Sequence, residues 1–279
     1  MTNQEINKSY FSLFSSFFDQ EIPPIIWGYT GGGHLFDENL SVIKKLSVGS
    51  IPICIIFSEA GALVANRYGL FWNLTNSSEI GNNLNFIFES TEVLKFNIKR
   101  LLDKTSVSYS VLPDDPAFSS AIALANKFMK CIIVSPLSTN TAAKLVHGIS
   151  DTFMSNFLAA GLKAGKKLVI VPTDVDSGPI ESQLPVRQKI STTVAHINPN
   201  ICEFRALRKT LRGEIIFLPH FCVGCEVCVK RYPQVFSVRE KIEIQIREVD
   251  HHNVELLKKE CIVFRKPTEI LAYIEKHYC

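Results

Sequence analysis

Three cysteines in Cys222-Val-Gly-Cys225-Glu-Val-Cys228 are the residues of this chain with the most definite chemistry. Thiolates at two-residue spacing wrap one corner of an iron–sulfur cubane, and a distant cysteine supplies the fourth bond. The run found in two-cluster proteins ends in a further cysteine before proline. Here Tyr232 stands before Pro233, so a second cluster of that kind is not expected. Zinc is the competing reading, but tetrahedral zinc sites more often use two separated cysteine pairs, which favours a single 4Fe-4S cluster. Of the remaining cysteines, Cys54 and Cys131 lie in apolar runs and Cys202 in a helix expected over 198–212, so all three are expected to be inert packed thiols. Cys279 is terminal and expected to be frayed.

A second stretch is built for polar ligands. In Cys131-Ile-Ile-Val-Ser135-Pro136-Leu-Ser138-Thr139-Asn140-Thr141 an apolar run reaches Ser-Pro, and hydroxyls and an amide then open a helical pattern of Ala142, Leu145, Val146 and Ile149. Proline does not continue a central strand, and Ser138, Thr139 and Asn140 are good helix N-caps. Free N–H groups and the positive end of a helix dipole suit an anionic or strongly polar ligand; the same residues also describe an ordinary capped helix. Upstream, a strand over 25–29 runs into Thr30-Gly31-Gly32-Gly33-His34. The glycines let backbone approach a phosphate, or simply make a tight turn. Ser58 ends a strand over 51–57, where open α/β sheets bind ligands, and it can also cap the helix expected over 60–68.

The elements that must position these residues alternate. Strands are expected over 25–29, 51–57, 131–134, 166–172 and 214–218. Helices are expected over 35–46, 60–68, 117–129 (opened by Asp114-Asp-Pro116) and 198–212, and residues 173–187 read as a loop. Alternation of this kind argues an α/β fold with a doubly wound parallel sheet, flavodoxin- or Rossmann-like. The expected divisions are an aromatic extension over 1–24, a ligand-binding domain over 25–218 and a small α+β domain over 219–279, with Pro219 at the boundary.

At 279 residues, 46% apolar and 20% charged, the chain affords a normal core and is far from disorder. A net charge of +3 with no basic stripe gives no support for a nucleic-acid partner. No apolar run reaches the roughly 18–20 residues that span a bilayer, so no membrane partner is expected. Phe11, Phe14, Phe17 and Phe18 fit an amphipathic helix packing on the body or on a neighbouring subunit, with too few cations for a membrane-surface helix. That segment lacks a basic start and a cleavage-type ending, so the expected compartment is the reducing cytoplasm, where cysteines serve as ligands or core rather than disulfides.

Ser135-Pro-Leu-Ser138-Thr139-Asn140-Thr141 resembles the P-A-S-A-N-T segment of the homo-oligomeric flavin-containing cysteine decarboxylase superfamily. Ile26-Trp-Gly-Tyr-Thr30-Gly-Gly-Gly-His34, Phe57-Ser58-Glu-Ala-Gly61 with Tyr68-Gly69, and Gly148-Ile-Ser-Asp151-Thr with Asn156 agree with it. In order and spacing the chain is similar to the acceptor-type dihydromethanopterin reductase branch, an archaeal iron–sulfur flavoprotein group, from about residue 25 to the C-terminus. The tail looks like a single-cluster ferredoxin: Pro233-Gln-Val-Phe236 follows the triplet, 241–247 alternates as a strand and 254–259 is helical, and Cys261 is assigned as the fourth ligand.

The resemblance implies FMN, with its phosphate held by Thr30, Gly31, Gly33 and Ser58 and its ring lined by Ser138, Thr139, Asn140 and Thr141; His34 and Ser135 belong to the same cofactor-binding set. It also implies electrons entering from reduced ferredoxin or a similar one-electron donor, and reduction of a pterin substrate, dihydromethanopterin, to its tetrahydro form. Homotrimers, or multiples of them, are implied as well. Two decarboxylase features are missing. No histidine lies between His34 and His147, and Pro172-Thr-Asp174-Val-Asp-Ser-Gly178 stands where the P-x-M-N-x-x-M-W clamp would be. Asn140 and His34 are the candidates for a catalytic role. Two other classes stay open: an electron-transfer flavoprotein without pterin turnover, and a binding protein with a structural cluster.

Overall fold

The computed structural model describes residues 24–77, 80, 83–105, 107–112, 131–175, 179–189, 197–238 and 241–278. The expected N-terminal aromatic helix and the helix expected over 117–129 lie outside the described residues. A seven-stranded sheet forms the centre: β1 (Ile25–Tyr29), β2 (Ile53–Phe57), β3 (Leu84–Phe88), β4 (Ser108–Val111), β5 (Cys131–Leu137), β6 (Lys167–Pro172) and, far along the chain, β13 (Ile262–Val263). Its order is β13-β6-β5-β1-β2-β3-β4 and every pairing is parallel. Parallel strands are covered on both faces, which is why β1, β2 and the first four residues of β5 read as apolar runs.

Side chains alternate between two cores across the sheet. Trp27, Ile55, Phe57, Phe86 and Ile133 meet α1 (Phe36–Ser47), α2 (Glu59–Tyr68), α3 (Leu70–Thr75) and α4 (Ile98–Leu102) on one face. On the other face Ile26, Cys54, Ile132, Val134 and Ile170 meet α5 (Thr139–Val146) and α6 (Phe153–Lys163). The chain winds outward from β1 to β4, then returns to lay β5 on the other side of β1. That reversal opens a crevice at the carboxyl ends of β1 and β5, the usual ligand position in such sheets. Pro136 does not stop β5. The strand runs on to Leu137, with the irregularity against β6 that proline requires.

The tail departs from the expected boundary at Pro219. The helices α8 (Glu248–Leu257) and α9 (Glu269–Tyr278) pack on α5 and α1, and β13 between them pairs with β6, so this part of 219–279 completes the large sheet instead of forming a unit of its own. The segment between β6 and β13 carries three short antiparallel pairs: β7 (Pro179–Gln183) with β12 (Lys241–Gln245), β8 (Arg187–Gln188) with β11 (Phe236–Ser237), and β9 (Leu207–Lys209) with β10 (Ile215–Phe217). A hairpin therefore replaces the helix expected over 198–212, and the strand expected over 214–218 pairs with β9 outside the main sheet. The short helix α7 (Val227–Arg231) follows Cys225. No helix among the described residues is long and apolar enough to cross a membrane.

Candidate functional site

A pocket of about 600 Å³ lies across the carboxyl ends of β1, β2, β3 and β5. Its wall contains Gly31, Ser58, Ser138, Thr139, Asn140 and Thr141, which the sequence places there, and also Glu59, Glu89, Lys144 and Met154. Three helices start at this wall, α6 with Thr152 as its cap. Ser58 caps α2, its hydroxyl accepting from the Gly61 N–H at 3.0 Å, and Ser138 caps α5, accepting from the Thr141 N–H at 3.4 Å. Ser138 Oγ also lies 3.0 Å from Thr141 Oγ1. The start of α2 sits tight against β1: a Cβ on Gly61 would come within 2.1 Å of the Tyr29 carbonyl oxygen, so only glycine fits.

Other expected contact residues hold the wall from behind. Thr30 is fully buried; its hydroxyl donates to the Pro136 carbonyl at 2.8 Å and accepts from the Ser138 N–H at 2.7 Å, tying the end of β1 to the start of α5. Ser135 is likewise buried and donates to Asn39 Oδ1 at 2.5 Å, while its carbonyl accepts from the Trp27 indole. Gly33 faces Tyr68, whose hydroxyl a Cβ would meet at 2.6 Å. Thr30, Ser135, Gly33 and His34 are not among the lining residues.

Sequence reasoning missed the charged wall. Glu89 follows β3 directly, and its two oxygens accept the Met154 N–H at 2.5 Å and the Glu59 N–H at 3.1 Å. Burial raises the Glu89 carboxyl above its ordinary range, outweighing the lowering effect of those two donors, with the Glu59 charge adding to the rise. Lys144, in the second turn of α5, bonds both oxygens of Asp151 at 2.8 Å and is the one lysine or arginine among the described lining residues. The signal for Glu89 was its position at a strand end, the same rule that picked out Ser58.

The far end of α2 meets the cysteine loop. Asn66 donates to the Cys222 carbonyl at 3.4 Å and the Phe96 carbonyl at 3.0 Å. Cys222 is 8% exposed, and its sulfur accepts the Gly224 N–H at 3.5 Å. Burial pushes the Cys222 thiol up to about 12 and the Cys228 thiol up to about 11, with neighbouring thiols, Cys202 among them, adding to the rise. Thiols held neutral in this way are poor nucleophiles; a metal or cluster would have to displace their protons. Among the described residues no three His, Cys, Asp or Glu side chains converge tightly enough to grip a single metal ion. The donors present nevertheless have the chemistry of a cluster site: soft sulfurs in an apolar sheath, with backbone N–H groups turned toward them.

Cys261 is not part of this group. It is partly buried at the edge of the core under α5 and α6, whereas Cys225 is partly buried against the other core. Cys261, which the resemblance assigns as fourth ligand, and Cys225 thus border different cores.

Comparison with known proteins agrees with this architecture. Dihydromethanopterin reductase (acceptor) of Methanocaldococcus jannaschii is 29% identical over 256 residues, covering 89% of this chain and 94% of that protein. The protein of the same name from Methanosarcina mazei is 27% identical over 241 residues, covering 84% and 90%. The crystal structure of Burkholderia xenovorans DmrB in complex with FMN, described as a cubic protein cage for redox transfer, shares the fold with a TM-score of 0.50 at 17% identity, over 92% of this chain and 96% of that one. The profile of the Flavoprotein family matches residues 15–177, which include every strand end that lines the pocket. With more than half of its length matched, the chain belongs to the Flavoprotein family.

Proposed function

We infer that this chain is an iron–sulfur flavoprotein oxidoreductase that reduces a dihydropterin of the dihydromethanopterin type. FMN is assigned to the pocket at the strand ends and one 4Fe-4S cluster to the cysteine loop. The observation that carries the reading is the placement of α2: Ser58, Glu59, Ala60 and Leu63 line the pocket, and Gly69 at its other end abuts Gly224 between the cysteines. Ten helical residues span about 15 Å, a short distance for electron transfer between the two. The names of the two archaeal relatives support the substrate class.

Bound together, the two groups supply a conversion of single electrons into the two-electron reduction of a C=N bond. The residues of the chain do the rest. With the Glu59 and Gly61 N–H groups given to Glu89 and Ser58, what remains for a phosphate is Gly31, the Ser58 hydroxyl and the Ala60 N–H at the start of α2. Ser138, Thr139, Asn140 and Thr141 present hydroxyls and an amide to a flat polar ring. Reduction of an imine also needs a proton at nitrogen. Glu89 is the wall residue suited to hold it, because burial keeps its carboxyl protonated to higher pH than an ordinary glutamate. This role passes to Glu89 from His34, which stands outside the wall.

A reduced ferredoxin or similar one-electron donor is the proposed electron source, and a homotrimer or a multiple of trimers the proposed assembly. A cube has threefold axes, so the cubic cage described for DmrB supports that assembly. Anaerobic turnover of dihydromethanopterin with a chemical one-electron donor tests the function, with dihydrofolate as control. Tetrahydro product is expected with the first substrate. Reduction of flavin and cluster with no pterin product would replace this reading with that of an electron shuttle.

A further inference from the structure

The cysteine triplet lacks a fourth sulfur at the position its own spacing would give, because Tyr232 stands there. The phenol is engaged elsewhere. Its oxygen accepts the N–H of Asn198 at 3.1 Å, bracing the segment that leads into Cys202. Cys202 lies at the end of a short turn over Pro199–Ile201, and the chain then reverses through Arg205 in the left-handed region before β9. The β9–β10 hairpin returns the chain at once to the same place, closing with a hydrogen bond from the Leu218 N–H to the Ala206 carbonyl at 2.7 Å. Four residues after Leu218 comes Cys222. The hairpin thus delivers Cys202 and the triplet to one spot from opposite directions.

A single side chain locks the two together. Asn97, at the head of α4, donates to the Phe204 carbonyl at 3.2 Å and to the Phe221 carbonyl at 3.0 Å, gripping the residue two after Cys202 and the residue just before Cys222. The apolar packing agrees. Cys202, Cys222 and Cys228 share one cluster with Val186, Ala206 and Phe217; Cys202 and Cys228 share a second with Leu207 and Phe236; Cys202 and Cys225 both lie at the edge of the main core. Cys202 is the cysteine common to all three. Its sulfur also accepts a backbone N–H, from Ala206 at 3.3 Å, as the Cys222 sulfur accepts one from Gly224 at 3.5 Å. Backbone N–H groups directed at sulfur, inside an apolar sheath, are what stabilise cluster-bound thiolates and tune their potential.

We propose that Cys202 supplies the fourth thiolate of the cysteine site, completing a set with Cys222, Cys225 and Cys228, and that Cys261 is a core residue without a ligand role. The proposal rests on the iron–sulfur reading above and deepens it. Ligation removes one proton from each thiol, and no other bond is made or broken in the protein.

The test uses the full chain, reconstituted anaerobically with iron and sulfide, as wild type, Cys202→Ala, Cys202→Ser and Cys261→Ala. Iron, zinc and acid-labile sulfide are measured per chain, with visible absorption and electron paramagnetic resonance of the reduced samples. Bound FMN and the thermal midpoint report folding independently. Wild type is expected to hold about four irons per chain, as a cubane requires. Cys202→Ala should fall to less than about a quarter of that content, or yield a three-iron signal, while keeping its FMN. Cys202→Ser, which retains an oxygen ligand, should keep some iron with altered resonance positions, and Cys261→Ala should match wild type. Full iron in Cys202→Ala, or loss of iron in Cys261→Ala with FMN retained, overturns the assignment of Cys202 and leaves the cluster reading standing. Zinc in wild type overturns the cluster reading alone, and zinc content in the same variants then decides Cys202. A wild type holding neither metal overturns both.

Discussion

Gly69 and Gly224 meet backbone to backbone. A Cβ built on Gly224 would lie 2.5 Å from the Gly69 nitrogen and 2.8 Å from the Arg67 carbonyl oxygen. Both residues have positive φ, +89° and +66°, so each is required for its conformation as well as for space. The contact fixes the cysteine loop to the end of α2. Gly224→Ala is expected to destabilise the protein by about 2 kcal/mol, from a strained backbone and a forced separation. Chemical denaturation measures the loss, and iron content in the same variant should fall while bound FMN stays near wild type.

Thr30 offers a test of the wall behind the pocket. Thr30→Val removes the hydroxyl that serves both Pro136 and Ser138 and leaves the Ser138 N–H without its partner. A cost of about 1–3 kcal/mol is expected in urea unfolding, with weaker FMN binding because the start of α5 is released. Thr30→Ser keeps the hydroxyl and should lose less than half as much.

Lys144 supplies positive charge to the pocket wall while paired with Asp151. Lys144→Ala should weaken FMN binding about tenfold at low salt, read by quenching of flavin fluorescence, and the difference should shrink as ionic strength rises. Asp151→Asn should act in the opposite direction, because it removes the competing carboxylate.

Glu89 makes a pH prediction with a definite sign. Its folded-state pKa lies above the ordinary value of 4.5 because burial disfavours the anion. Such a group contributes stability that is full below the unfolded pKa and is lost as the pH rises through the folded one. Wild type should therefore lose stability relative to Glu89→Gln as the pH climbs from 4.5 through the raised value, measured by denaturant titrations at several pH values. A proton donor acts only while protonated, so the rate should fall on the alkaline side of that same value. Glu89→Gln should lower kcat for pterin reduction about a hundredfold and remove the alkaline limb of the rate profile.

The central strands were legible because parallel strands are buried on both faces: Ile25 to Tyr29 and Cys131 to Val134 are apolar without a break. Ser58 and Ser138 were legible because a cap residue after a strand has a recognisable chemistry. Short elements were not. Two residues, Ile262 and Val263, make the seventh strand, too few to carry a period, and so the tail read as a separate unit. Leu207 and Leu211 mimicked helical spacing over what is a hairpin. Glu89 was missed because β3 itself was not placed. The approach of Cys202 to the triplet across a hairpin leaves no trace in spacing, and Thr30 and Ser135 had the right chemistry for a ligand but spend it on their neighbours.

The cysteine-bearing segment leaves the sheet at β6 and re-enters beside it at β13, so it is an excursion moored at both ends to a platform. Both Phe204 and Val223 of that excursion are buried in the layer shared with α1, α2, α3 and α4. The excursion is thus a structural member of the platform, and whatever strains the cysteine loop is felt in the packing that backs the pocket.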